Sequence, residues 1–130
     1  VRLMDKRMKE EVKKWWKQTL KDMRAAKSMY KIKSYGHSSF WCQQAAEKAL
    51  KTLLFERGKE LIKTHDLVLL AKELNAPEKI IQSCKELTPV YIETRYPGLG
   101  DEGFKKFTKK EAEEDIKRMR RIIAWTKKNL

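Results

Sequence analysis

Two histidines, an arginine–tyrosine pair and a polar patch on an otherwise apolar helix are the residues here that can do chemistry. His65 stands in Thr64-His65-Asp66-Leu67. An imidazole titrates near neutrality, so it can serve as ligand or general acid/base. The competing role is a capping turn: Thr64 or Asp66 caps the next helix while His65 bonds a neighbouring helix end. Arg95-Tyr96-Pro97 closes a helix and opens a Gly-rich segment, 96–103. A guanidinium there grips phosphate bidentately, and Tyr96 can stack on a base or ribose. Its competing role is an ion pair with Glu47 or Glu93. Gln43, Gln44, Glu47 and Lys48 share most of one helical face, where buried amides need partners. His37 precedes a helix start and can help bind an anion there. Arg57 comes eight positions before His65.

These residues must be positioned by helices, because no strand pattern is visible. Five are readable. The first runs from about Met4 to Ile32, with Met4, Met8, Val12, Trp15, Trp16, Thr19, Met23 and Ala26 on its apolar side. The second starts near Ser38 or Ser39, either a good N-cap, and stops at Gly58. Its stripe is Ala46, Ala49, Leu50, Leu53 and Leu54, with Glu47, Lys48, Lys51 and Glu56 on the opposite side. A short third helix follows Thr64. The fourth begins at Pro77 and is kinked by Pro89. Thr108, with Glu111 three residues on, caps the last. The expected fold is all-α, an antiparallel bundle of about five helices, four up-down plus a short one, in a single domain over 1–130.

Hydrophobic residues make up 41% of the chain and charged residues 38%, which gives a real core under a heavily charged surface. No apolar run approaches the ~20 residues of a membrane span, and the N-terminus does not read as a signal peptide. A cytoplasmic location is expected. Cys42 and Cys84 belong to no metal-binding spacing and read as small reduced hydrophobes; no metal or cofactor is expected. Few Asn and Gln beside many Lys, Arg and Glu suggest a thermophile. The net charge of +13 is concentrated at the ends. Residues 1–33 carry +8, residues 104–130 carry +6, and the middle is nearly neutral. Side by side, the first and last helices would make one basic face attractive to phosphate backbones; the alternative is a solvated charged surface. Trp15, Trp16 and Trp125 read as core, and Trp41 as exposed or interfacial. P-loop, nucleophile-elbow and zinc-protease motifs are absent.

The order of QQAAEKALK (residues 43–51), THDL (64–67), Tyr91 and Arg95-Tyr96-Pro97 resembles the HEPN domain family. That resemblance implies a small helical bundle, commonly a homodimer, often paired with a minimal nucleotidyltransferase in a toxin–antitoxin-like system. It implies nucleotide or RNA binding, for which Arg95, Tyr96 and His65 are the first candidates and His37 and Lys48 the second. Ribonuclease members use an Arg followed by a His after four to six residues. Here seven residues separate Arg57 from His65, and no His follows Arg95. The chain therefore resembles the branch without the nuclease motif. Two alternatives stand beside the binding module. One is a metal-independent ribonuclease toxin using His65 with Arg57 or Arg95; the other is a purely structural dimerising protein.

Overall fold

The structure, a computed structural model, describes residues 2–98 and 104–130, and side chains from residue 9 onward within those spans. Leu99–Gly103, in the expected Gly-rich loop, and the side chains of Met4 and Met8 lie outside the described residues. Every regular element among the described residues is an α-helix, in the order α1 (Arg2–Lys31), α2 (Tyr35–Glu56), α3 (Leu67–Glu73), α4 (Glu78–Leu87), α5 (Val90–Arg95) and α6 (Lys109–Asn129).

The ends of α1, α2 and α3 share one device. Each closes with a residue at positive φ: Lys33 at 63°, Gly58 at 70° and Asn75 at 53°. At all three, the next residue's N–H donates to the carbonyl five positions back, Ser34 to Met29, Lys59 to Leu54 and Ala76 to Ala71. These are Schellman closures, which satisfy carbonyls that the helix would otherwise orphan. Only the second has the glycine such a turn prefers.

Two expected boundaries change. Helix α2 begins at Tyr35, with Ser34 at the cap position and no side-chain cap bond. Ser38 and Ser39, expected as caps, are buried inside it. The Ser38 hydroxyl instead donates to the Ala26 carbonyl on α1 at 2.8 Å. The expected fourth helix is broken into α4 and α5 at Thr88-Pro89, because proline has no N–H to continue the ladder. Thr108 and Glu111 do form a reciprocal capping box at the start of α6.

Helix α2 is the axis of the molecule. It packs along α1 on one side and α6 on another, and also meets α3 and α5. Ala45, Ala46 and Ala49 are fully buried, since small side chains let neighbouring helices approach closely. Leu50, Leu53 and Leu54 meet Leu67, Leu70, Leu74, Leu87, Met119 and Ile122 in the core. Enclosure on several sides explains a correction. Glu47, read as solvent-facing, is 6% exposed. Trp41, read as exposed or interfacial, is half-buried against the core with its ring edge-on to Phe40.

Candidate functional site

Burying a carboxylate is costly unless donors surround it. Glu47 has three. Lys51, one turn along α2, donates to Oε2 at 3.0 Å, while Gln43, one turn back, reaches Oε1 at 3.3 Å. His65 Nδ1 lies 2.8 Å from the same Oε1. Gln43 is itself fully buried, and its amide also donates to the His65 carbonyl at 3.0 Å. Gln44 completes the set by donating to Gln43 Oε1 at 2.8 Å. One face of α2 thus fastens both the backbone and the ring of His65.

The turn around His65 is fixed from the other side as well. Asp66 is the residue that caps α3, accepting from Val68 and Leu69 N–H groups. The Leu67 N–H donates to Thr88 Oγ1 at 2.9 Å, tying the start of α3 to the α4–α5 break. That break sets the position of α5. The His65 ring stacks on Tyr91 with centroids 3.8 Å apart and planes 16° from parallel. The Arg95 guanidinium, one turn further, lies over the Tyr91 ring at 5.2 Å. The result is a ladder of four side chains: Glu47, His65, Tyr91 and Arg95.

The ladder fixes the orientation of the His65 ring. A carboxylate only accepts, so a ring bonded to Glu47 presents its proton at Nδ1 and, when neutral, its lone pair at Nε2. The His65 side chain is half exposed.

Arg95 also lines a cleft of about 500 Å³. Gly36, His37 and Phe40 of α2, Glu93 and Thr94 of α5, and Phe104, Lys105 and Phe107 complete its walls. His37 Nδ1 is 2.8 Å from the Ser34 hydroxyl. Lys105 bridges Glu93 at 3.4 Å and Glu111 at 2.7 Å, and lies 4.7 Å from the Phe107 ring centroid. Arg95 has no ion pair among the described residues, so the expected bridge to Glu47 or Glu93 is not made: Glu47 is taken by Lys51 and His65, Glu93 by Lys105. The cleft therefore offers aromatic rings beside an uncommitted guanidinium.

Other candidates lie elsewhere. Lys48 binds Asp22 on α1 and sits 5.9 Å from the Trp41 ring centroid. It is one residue from Glu47 but faces a different neighbour, since adjacent helical positions diverge by ~100°. Arg57 reaches across to the Leu74 carbonyl at 3.3 Å. Tyr96 is exposed at the C-cap of α5. Tyr91, named above only for its place in the motif order, joins His65 to Arg95 in the ladder. Phe104, Lys105 and Phe107 carried no sequence signal. Gly98, Gly100 and Gly103 have the Gly-x-Gly-x-x-Gly spacing of dinucleotide-binding turns. They follow a short helix, however, and lack the strand that such a turn requires.

The HEPN domain family model matches residues 12–130. The chain belongs to the HEPN family. Among solved structures, this HEPN chain is similar to TT1696 from Thermus thermophilus, with 30% identity and a TM-score of 0.84. That match covers 92% of this chain and 98% of the other. It is also similar to ST0689, an archaeal HEPN homologue, with 34% identity, a TM-score of 0.78, and coverage of 90% and 95%. No curated protein matches it. The HEPN fold accounts for the bundle. No helix among the described residues is long and apolar enough to cross a membrane.

Proposed function

We propose that residues 1–130 form a single HEPN binding module for a nucleotide or RNA, working as a homodimer beside a minimal nucleotidyltransferase in a toxin–antitoxin-like pair. The observation that carries the binding reading is Arg95. Its guanidinium is unpaired among the described residues, is braced by Tyr91, and opens on a cleft lined by Phe40, Phe104 and Phe107. Arg95 and His37 take phosphate, the phenylalanines take the base, and His65 Nε2 with Tyr96 contacts the ribose or base.

The test is titration of purified protein with labelled mononucleotides, too short to report RNA binding elsewhere on the molecule, using Arg95→Ala. We expect binding to fall at least tenfold, the order of one lost charge-assisted phosphate contact, with the fold intact. An unchanged dissociation constant removes this reading.

Dimerisation is supported by Ile92 on α5 and Tyr96 at its C-cap, 63% and 57% exposed. Sedimentation as a monomer at working concentration would remove it. The nucleotidyltransferase pairing fails if no such protein is encoded alongside or forms a complex on mixing.

The Glu47–His65 pair favours a second reading, a metal-independent ribonuclease. His65 Nε2 would take the proton of a 2′-hydroxyl while Arg95 neutralises the phosphorane charge. Arg95 suits that role better than Arg57, whose guanidinium bonds the Leu74 carbonyl. RNA cleavage in chelator that His65→Ala abolishes would put this reading first; no cleavage by the unaltered protein rejects it.

A further inference from the structure

We propose that the groove between α1 and α6 is a second site, which binds the phosphodiester chain of single-stranded RNA. It shares no residue with the Arg95 cleft, so it stands whether or not that cleft takes a nucleotide.

The groove follows from how the two helices meet. Both pack chiefly against α2 and touch each other only lightly. One tie between them is a hydrogen bond from the Tyr30 hydroxyl to Glu113. Beside this tie lies a groove of about 420 Å³ lined by Lys27, Tyr30, Lys31, Glu113, Ile116, Lys117 and Arg120. Four linings are cations and one is a carboxylate, which Tyr30 already engages.

Of the four, Lys117 has one exposed contact, 3.6 Å to Glu114, of the kind worth little in water. Lys27, Lys31 and Arg120 have no carboxylate at ion-pair distance among the described residues. Like charges gathered in a concave surface repel one another and raise the local potential, which draws in anions. Here that potential is not cancelled internally.

Spacing selects the kind of anion. Lys27 and Lys31 are four residues apart on one wall, and Lys117 and Arg120 three apart on the other. At 1.5 Å per residue those separations are about 6 Å and 4.5 Å along the helices. Two rows of cations, one on each helix, suit a repeating chain of charges better than one phosphate. Arg24, exposed one turn before Lys27, extends the first row. An acidic polypeptide is the competing occupant. A docked acidic helix needs apolar anchors to hold its register. The apolar surface here is Ile116, the Tyr30 ring and the stems of the basic side chains. A base can stack on it as readily as an apolar anchor can pack, so the repeat of the cations decides for a phosphate chain. A phosphate backbone needs only the charges.

The test is fluorescence anisotropy with a labelled short oligouridylate, from about 50 to 200 mM salt. Lys31→Gln with Arg120→Gln removes two exposed cations from the groove. Each lost phosphate contact lowers the salt slope by about 0.7 for a single strand, so a drop of about 1.4 is expected. Affinity at low salt should fall roughly fivefold or more. The control is Lys79→Gln with Lys85→Gln on α4, which removes equal charge from exposed positions elsewhere. An equal loss in both variants would mean that net charge alone attracts RNA, and overturns the groove. An unchanged slope in the groove variant overturns it as well. Polyglutamate that displaces the RNA at equal charge concentration would reassign the groove to an acidic protein. All four positions are exposed, so matching melting temperatures should show that the variants fold.

Discussion

Glu47 shows how one side chain can be costly, necessary and hard to read at the same time. Its carboxylate sits inside the bundle with Lys51, His65 and Gln43 around it. Deleting the carboxylate strips Lys51 and Gln43, both largely buried, of their shared acceptor, whereas deleting the half-exposed His65 leaves Glu47 its two other donors. Glu47→Ala should therefore cost roughly 3 kcal/mol in urea denaturation, with the His65 turn loosened. His65→Ala takes away an exposed ring and one hydrogen bond, and should cost only about 1 kcal/mol while removing whatever the site does. Equal costs would mean that Glu47 is solvated rather than the anchor of the ladder. The sequence marked His65, Arg95 and the polar patch around Glu47, because Thr-His-Asp-Leu and Arg-Tyr-Pro are local words. It did not mark Phe104, Lys105 or Phe107. Their part in the cleft depends on the approach to α6 passing α5 and the start of α2, and no spacing along the chain records that.

At the scale of elements, punctuation was the most legible feature and the exact breaks the least. Gly58, the Thr108–Glu111 box and the α4–α5 break at Pro89 each follow from a local steric or hydrogen-bonding rule. The start of α2 was misread because Ser38 and Ser39 are good caps in isolation, yet they face α1 and the core. The three Schellman closures make a graded prediction. A Cβ at Gly58 meets nothing within 4 Å, so Gly58→Ala carries only the left-handed backbone penalty, about 1 kcal/mol. Lys33 already bears that penalty, and Lys33→Gly should recover about 0.5 kcal/mol once the added freedom of the unfolded chain is subtracted. Thermal melts of the two variants should shift in opposite directions; a loss in both would mean that the Lys33 side chain holds the turn.

Over the whole molecule, charge decides how stability varies with pH. Glu111 is held below the usual carboxylate range, first by Lys105 and then by the Thr108 backbone, against the pull of burial. Glu86 is lowered by hydrogen bonds from Gln82 and Arg118. Groups depressed in the folded state add stability above their ordinary value of 4.5, and lose it as pH falls through the folded value. Asp115 has the opposite sign, because burial raises it, so it offsets part of the acid loss. At the alkaline end the Glu113 bond, aided by burial, lifts Tyr30 from 10.0 to about 12. Its contribution is complete below pH 10.0 and disappears as pH rises towards 12. The melting temperature should therefore be flat near neutrality and fall at both ends, and Tyr30→Phe should flatten only the alkaline limb. An unaltered alkaline limb would show that the α1–α6 tie contributes nothing.

By itself the sequence determined the fold class, the family and the residues able to act. Helical periodicity, caps and motif order are written along one dimension, and each is enforced by neighbours within a few positions. Only the tertiary structure decided which of those residues meet. Lys48 turned to Asp22 and Arg57 to Leu74, whereas Tyr91 joined His65 to Arg95. The reason is geometric. A helix such as α2, enclosed on several sides, sends adjacent residues ~100° apart to different neighbours. Which neighbour each finds depends on packing between distant segments.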